Sequence, residues 1–298
     1  MKQFGYLYLL AYALLLAFIG VFTRQIQGID MQTIAFTRAL LATLFIMGFI
    51  IIQQDWQALK PTAVGNTLLV GIMHGLMMLL YIGALMNTSV ANAILLTYTA
   101  PCFALLFSRF ILKDDIPIAS LKNLIFSVSG LLLIAGPQQI SLKIGGSIGD
   151  WMALGSGIAY AGLMVSCKPL ANKVTSTYVV LWQHIVATII LLPFVSLKAV
   201  GGFLSNAVPL ICLGVLCTGL AYLLLVHGLR LVSTAQALVM TSLEPVLAIV
   251  VAASTLQETI SPWTTVGATL IVYGAYRITS VTSVVPKVPQ RVTVTNYM

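Results

Sequence analysis

Apolar residues fill this chain in runs close to bilayer length, cut by short breaks that carry polar residues, Pro or Gly. A helix needs about 20 such residues to cross the hydrocarbon core. The runs read as spans near 5–23, 31–53, 65–87, 89–112, 118–136, 148–167, 176–197, 206–230, 233–256 and 261–280. They are continuous and lack the period-two alternation of barrel strands, so helix is the predicted form. Ten spans in 298 residues leave little room for large loops.

Within this pattern one stretch recurs. Residues 75–101 align without gaps on residues 219–245, a shift of 144. The leucine matches carry little weight in so apolar a chain. The Ser-x-Ala-x-Ala-x3-Thr-x3-Pro skeleton, Ser89 to Pro101 and again Ser233 to Pro245, carries more. Softer matches put Ala42 on Ala187, Arg38 on Gln183, and Asp114 on Glu258. The two acids close their spans and read first as caps or interfacial residues. Five spans per half is an odd number, so the second half enters the membrane from the opposite side. The expected fold is an all-α polytopic membrane protein whose ten transmembrane helices form two inverted five-helix repeats. Residues 1–136 are the first repeat, 137–147 a Gly/Ser/Pro-rich linker, 148–280 the second repeat and 281–298 a polar cytoplasmic tail. Duplicated halves of opposite sense are how many carriers build a site that opens to either side.

Small residues sharpen the packing picture, because helices approach closely in lipid only where side chains are small. Gly71-x3-Gly75, Ala153-x3-Gly157-x3-Ala161 and Ala248-x3-Ala252 mark the third, sixth and ninth spans. Tight turns at Asn87-Thr88 and Leu231-Val232 make helical hairpins of spans three and four and of spans eight and nine.

Composition agrees with the pattern: 59% hydrophobic and 7% charged, against about 25% charged in soluble domains. The net charge of +8 is a topology signal and not a nucleic-acid surface. With the N-terminus inside, Lys2, Lys60, Arg109, Lys113, Lys122, Lys168, Lys173, Arg230, Arg277, Lys287 and Arg291 are cytoplasmic. Only Arg24, Lys143 and Lys198 fall outside, and Arg38 lies within a span. That positive-inside bias puts both termini in the cytoplasm. The four cysteines sit inside spans without Cys-x-x-Cys spacing and read as packing residues. Lys2 and the run after it imitate a secretory signal, but the run continues, so an uncleaved first span is expected.

The pattern Phe36-x-Arg38-x3-Ala42, with Ala91-x-Ala93 through Ala100-Pro101 and Ala235-x-Ala237 through Glu244-Pro245, resembles the EamA family of the drug/metabolite transporter superfamily. The resemblance covers essentially the whole chain. It implies a multi-pass secondary carrier of the inner (cytoplasmic) or cell membrane, often an exporter of amino acids, metabolites or xenobiotics. It also implies a central cavity lined by spans three, four, eight and nine with help from one and six. Two features depart from the family pattern. Asp114-Asp115 stands where a single Glu is usual, and Phe18 stands where the first span commonly has Trp.

Ionisable groups deep in a span are costly and mark function or a specific pair. Glu244 lies ~16 Å into the ninth span, His74 ~14 Å into the third, and Arg38 ~10 Å from the outer end of the second, at 1.5 Å per residue. These three are the proton-coupling candidates, with Glu244 binding and releasing the proton. The plainer reading holds Glu244 by Arg38, His74 or free backbone groups. Pro101 and Pro245 break the backbone ladder at mid-span and act as flexing points or as fixed bends. Tyr12, Phe18, Tyr81, Asn92, Tyr98, Tyr160, Tyr222 and Gln236 join Glu244 and His74 as candidate substrate contacts. Asn92 and Gln236 are the sharper of these, since an amide facing lipid is costly. Trp56, Trp151 and Trp263 read as interfacial anchors.

No lysine is buried at mid-span, so multiply phosphorylated cargo is disfavoured. A neutral, zwitterionic or cationic small molecule fits better. Spaced Asp motifs, a Gly-x-Ser-Gly nucleophile and a Walker element are all missing from the sequence, so no catalytic residue, metal or cofactor is assigned. The expected function is a secondary transporter, with an intramembrane enzyme or a channel as the alternatives. The expected partners are the lipid bilayer and a small-molecule substrate, and both a homodimer and a monomer stay open.

Overall fold

The computed structural model of the protein describes residues 2–88, 93, 96–113, 118–135, 147–170, 173–196, 202–256 and 261–280. Among the described residues every regular element is helical. A first rod, α1 (Lys2–Ala17) and α2 (Ile19–Gln25), is interrupted at Phe18. Then follow α3 (Met31–Gln53), α4 (Val64–Asn87), α5 (Ala100–Leu112), α6 (Ile118–Ala135), α7 (Ile148–Cys167) and α8 (Ser176–Leu191). The chain closes with α9 (Ala207–Leu231), α10 (Thr234–Thr241), α11 (Glu244–Leu256) and α12 (Pro262–Ser280).

Seven stretches are long and apolar enough to cross a membrane: Lys2–Thr23, Met31–Gln53, Val64–Ala84, Ile148–Leu170, Ser176–Phe194, Ala207–Leu231 and Gln236–Thr255. Seven spans, and not ten, therefore meet that criterion among the described residues. The expected spans 89–112, 118–136 and 261–280 coincide in place with α5, α6 and α12. Part of the first of these, the linker 137–146, Asp114, Asp115 and Glu258 lie outside the described residues.

Local chemistry sets where helices start. Asp30 accepts from the Thr33 backbone N–H at 2.9 Å and caps α3. Ser147 does the same for α7 and Thr175 for α8. Ser233 and Gln236 form a reciprocal capping box on α10, which satisfies two otherwise orphaned donors. Exposed Leu, Ile, Val and Trp side chains cover the outside of the bundle, as a lipid-facing surface requires. Trp56, Trp151 and Trp263 are all exposed near helix ends, in keeping with interfacial anchors.

Packing repeats itself with the period of the sequence. α4 lies along α7 and α8, and α9 lies along α1 and α3. Gly149, at the start of α7, presses on the Asn87-Thr88 turn: a Cβ there would stand 2.5 Å from the Asn87 carbonyl carbon. Gly5, near the start of α1, presses on Leu231-Val232, where a Cβ would stand 2.8 Å from Val232 Cγ1. The two turns match in backbone: Thr88 N–H donates to Ala84 O at 2.9 Å and Val232 N–H to Gly228 O at 3.2 Å. Gly75 packs on Ala187 of α8, and Gly219 packs on Ala42 of α3. Gly71 meets Val186, and Gly214 meets Leu41. A wide π-type stretch over Cys212–Leu220 in α9 accounts for the one-residue offset in that last match.

Candidate functional site

The interior of the bundle is built where the repeated skeletons break. α5 starts after a two-residue turn at Tyr98-Thr99, and α11 after the equivalent turn at Ser242-Leu243. Thr99 N–H donates to Leu96 O, and Leu243 N–H to Met240 O, both at 3.2 Å. Pro101 and Pro245 are the second residues of the helices that follow. Each break is local: the helix pattern is interrupted for two residues while Thr99 and Ser242 keep right-handed helical backbone, and 236–255 still reads as one span. Each proline sits in the first turn after its break, where a missing N–H costs nothing. Gly157 of α7 lets the backbone at the first break come close: a Cβ there would lie 2.7 Å from Thr97 O. Thr97 Oγ1 also donates to Ala153 O at 3.3 Å.

Glu244 is the first residue of α11, so the second break aims a carboxylate into the bundle. The Tyr98 hydroxyl, from the first break, lies beside it. The carboxylate lies within electrostatic reach of Tyr12, Tyr81, Tyr160 and Tyr222 as well. Tyr12 and Tyr160 join α1 to α7 with hydroxyl oxygens 3.2 Å apart. Glu244, Tyr81, Tyr98 and Tyr160 each keep part of their surface accessible, and Tyr98 lies within electrostatic reach of the other three.

Arg38 of α3 donates from Nε to Thr218 Oγ1 of α9 at 3.3 Å. The guanidinium is within electrostatic reach of Glu244, and of Tyr81 and Tyr222 too. No ion pair joins Arg38 to Glu244 among the described residues, and the plainer reading of a carboxylate held directly by Arg38 does not apply. His74 of α4 is fully buried beside His184 of α8 and Tyr222 of α9. It does not touch Glu244.

The other expected contacts divide. Phe18 occupies the α1–α2 break and packs on Phe22 with ring centroids 6.2 Å apart. Tyr222 is buried edge-on to Tyr12 at 5.8 Å. Gln236 is drawn off by its cap, where its Oε1 accepts from Ser233 N–H at 3.1 Å. The amide oxygen thereby serves the backbone of its own helix. Asn92 lies outside the described residues.

The sequence reading missed His184 and Thr218 as site residues. The repeat held the signal for both. Arg38 aligns with Gln183, and His74 sits 144 residues before Thr218. A contact from Arg38 to Thr218 therefore implies one from the Gln183-His184 segment to His74. Polar contacts tie the seam at both ends. The Thr88 hydroxyl donates to Asp150 Oδ1 at 2.6 Å. Near the 231–232 turn, Lys168 Nζ donates to Leu229 O at 2.6 Å and to Val232 O, while Arg230 donates to Val174 O.

The model of the EamA-like transporter family matches residues 3–136 and again residues 147–280. The chain belongs to the EamA-like transporter family. Relatives in that family are named as transporters. The YxxF transporter of Bacillus subtilis is 28% identical over 246 residues, 78% of this chain and 75% of that protein. An Archaeoglobus fulgidus transporter is 27% identical over 265 residues, 88% and 91% of the two chains. The pseudopaline exporter CntI of Pseudomonas aeruginosa is 29% identical over 160 residues, 54% of this chain and 55% of that one. One crystal structure superposes with a TM-score of 0.80 over 94% of this chain and 97% of the other, at 17% identity, which establishes likeness of fold. Family membership and the apolar helices together make this a multi-pass membrane protein with a transport role.

Proposed function

We propose that the chain is a secondary transporter working by alternating access, with ten spans arranged as two inverted halves, 1–136 and 148–280. Residues 137–147 link the halves, and both termini, with the 281–298 tail, lie on the cytoplasmic side of the cell membrane. It needs no cofactor and carries out no bond chemistry. The cargo is a small apolar or zwitterionic compound such as an amino acid, and the direction is outward. The exporter among its relatives supports that direction.

The observation that carries this reading is the gathering of Glu244 with Tyr81, Tyr98 and Tyr160 from both halves, with Arg38 within electrostatic reach of the carboxylate. A carboxylate and a guanidinium within the spans that form no ion pair with each other suit a solute bearing both charges. The double match to the family model and the paired glycine contacts support the two-half layout. Residues from both halves meet at Glu244, as a site that switches sides requires.

Reconstitution in liposomes tests it. With a panel of radiolabelled amino acids, saturable counterflow is expected for at least one. Glu244→Gln keeps the size and hydrogen-bonding capacity of the side chain, but should lose transport driven by a pH gradient while exchange persists. Unsaturable conductance would make the protein a channel, and full gradient-driven transport by the variant would remove Glu244 from proton coupling.

A further inference from the structure

α4 and α8 come from opposite halves of the chain, and at Gly71 they press together: a Cβ there would stand 2.5 Å from Val186 Cβ. Toward the start of both helices they part. Between Pro61, Val64 and Leu68 on one side and Tyr178, Trp182 and Val186 on the other lies an apolar groove of about 260 Å³. It opens to the outside of the bundle, since Val64 and Leu68 are 50% and 45% exposed. The exposed stripe runs on along α4 through Leu69, Ile72 and Leu76, so the groove is continuous with the lipid-facing surface. Polar contacts fix its mouth. The Tyr178 hydroxyl accepts from Thr62 N–H at 3.0 Å and donates to Thr62 O, and Trp182 Nε1 donates to Ala58 O at 3.2 Å. These bonds fasten the α3–α4 connection to α8. They also satisfy the polar atoms of both rings and leave their apolar bodies to line the groove.

Each wall begins beside a lysine. Lys60 directly precedes Pro61, and Lys173 lies three residues before α8. Both are exposed, and neither ammonium is paired among the described residues. Asp55 is the single acid on the α3–α4 connection, and the α7–α8 connection has none. Trp56, exposed on the same connection as Lys60, marks the level at which indoles meet lipid headgroups.

We infer that this groove binds one anionic phospholipid, with an acyl chain lying along Val64, Leu68 and Trp182 and the headgroup phosphate at Lys60 and Lys173. An apolar slot suits a hydrocarbon chain, and two unpaired ammonium groups at its mouth suit a negative headgroup. A phospholipid offers both at the edge of a bilayer. A zwitterionic lipid offers the chain without the net charge, so the site distinguishes lipids by headgroup. The bound lipid bridges α4 of the first half and α8 of the second, next to the Gly71–Val186 contact, and limits how far the two helices can close. That consequence, and the placing of the site in the cytoplasmic leaflet, rest on the alternating-access reading with both termini inside. The binding of the lipid does not.

Trp182 lines the groove and serves as the reporter. The chain has four tryptophans, so replacing Trp56, Trp151 and Trp263 by phenylalanine in the full-length protein leaves Trp182 as the sole indole. This protein is reconstituted in phosphatidylcholine vesicles, and phosphatidylglycerol or phosphatidylcholine with brominated chains is titrated in, bromine quenching indole fluorescence on contact. Half-maximal quenching should need at least about fivefold less of the brominated phosphatidylglycerol, the preference expected when lysine at a membrane surface meets an anionic lipid. Lys60→Gln together with Lys173→Gln should remove that preference, and both side chains are exposed, so the packing stays as it is. Lys113→Gln together with Arg277→Gln takes away the same charge elsewhere and should leave the preference in place. Equal quenching by the two lipids, or a preference that survives loss of Lys60 and Lys173, would overturn the proposal. So would a preference lost equally with Lys113 and Arg277, which would reduce it to the general field of a basic face. Absence of quenching by either lipid would give the groove to a protein and not to a lipid. Lipid reaches both leaflets and no solute enters the measurement, so a failure of the transport or topology reading leaves its result intact.

Discussion

Gly149 and Gly5 show how much rests on single atoms. Each lets the first helix of one half lie against the hairpin turn of the other, and at each the space for a Cβ is already taken. Gly149→Val drives a side chain into the Asn87-Thr88 backbone, which cannot yield as a flexible side chain can. A loss of about 1–3 kcal/mol is expected, the usual cost of overpacking, read as a lower unfolding temperature in detergent. Gly5→Val meets the Leu231 and Val232 side chains and should cost less. Gly20 has open space around the missing Cβ, so Gly20→Ala should be neutral or stabilise by up to about 1 kcal/mol. Unchanged stability in Gly149→Val would mean the seam is not packed as described. At this scale the sequence was readable in part. Glu244, Arg38 and the tyrosines stood out because polar groups in apolar runs are costly. Gln236 stood out for the same reason, and its cap role was legible only as the Ser233-x-x-Gln236 spacing. His184 was not assigned to the site because its partner is 110 residues away in the chain.

Helices are where reading by pattern did best and where its error was most instructive. The long apolar runs became helices, with α3, α4, α7 and α8 close to the expected limits. The prolines were read as flexing points or fixed bends at mid-span. The two-residue interruption of the helix ahead of each was not legible, because hydropathy is blind to a break inside an apolar run. The broken form makes its own prediction. A proline in the first turn replaces an N–H that has no intrahelical partner. Pro245→Ala should therefore change stability by less than about 1 kcal/mol, far below the roughly 3 kcal/mol of a proline in a helix interior. Thermal unfolding of the variant checks this. A large gain in stability would show that proline strains a helix which would otherwise run straight through.

The molecule as a whole is organised by its duplication. Shifts of 144 and 145 residues relate the two turns, the two breaks, the Gly75–Ala187 and Gly219–Ala42 contacts, and the two passages matched by the family model. An alternating-access site follows from that arrangement only if the halves face opposite ways in the membrane. The most direct test labels single cysteines from each side of sealed vesicles, in a chain whose Cys102, Cys167, Cys212 and Cys217 are replaced by serine. Asn87→Cys and Leu231→Cys occupy equivalent turns of the two halves. The account predicts that an impermeant maleimide reaches Asn87→Cys from the outside only and Leu231→Cys from the cytoplasmic side only. Labelling of both from the same side would contradict it.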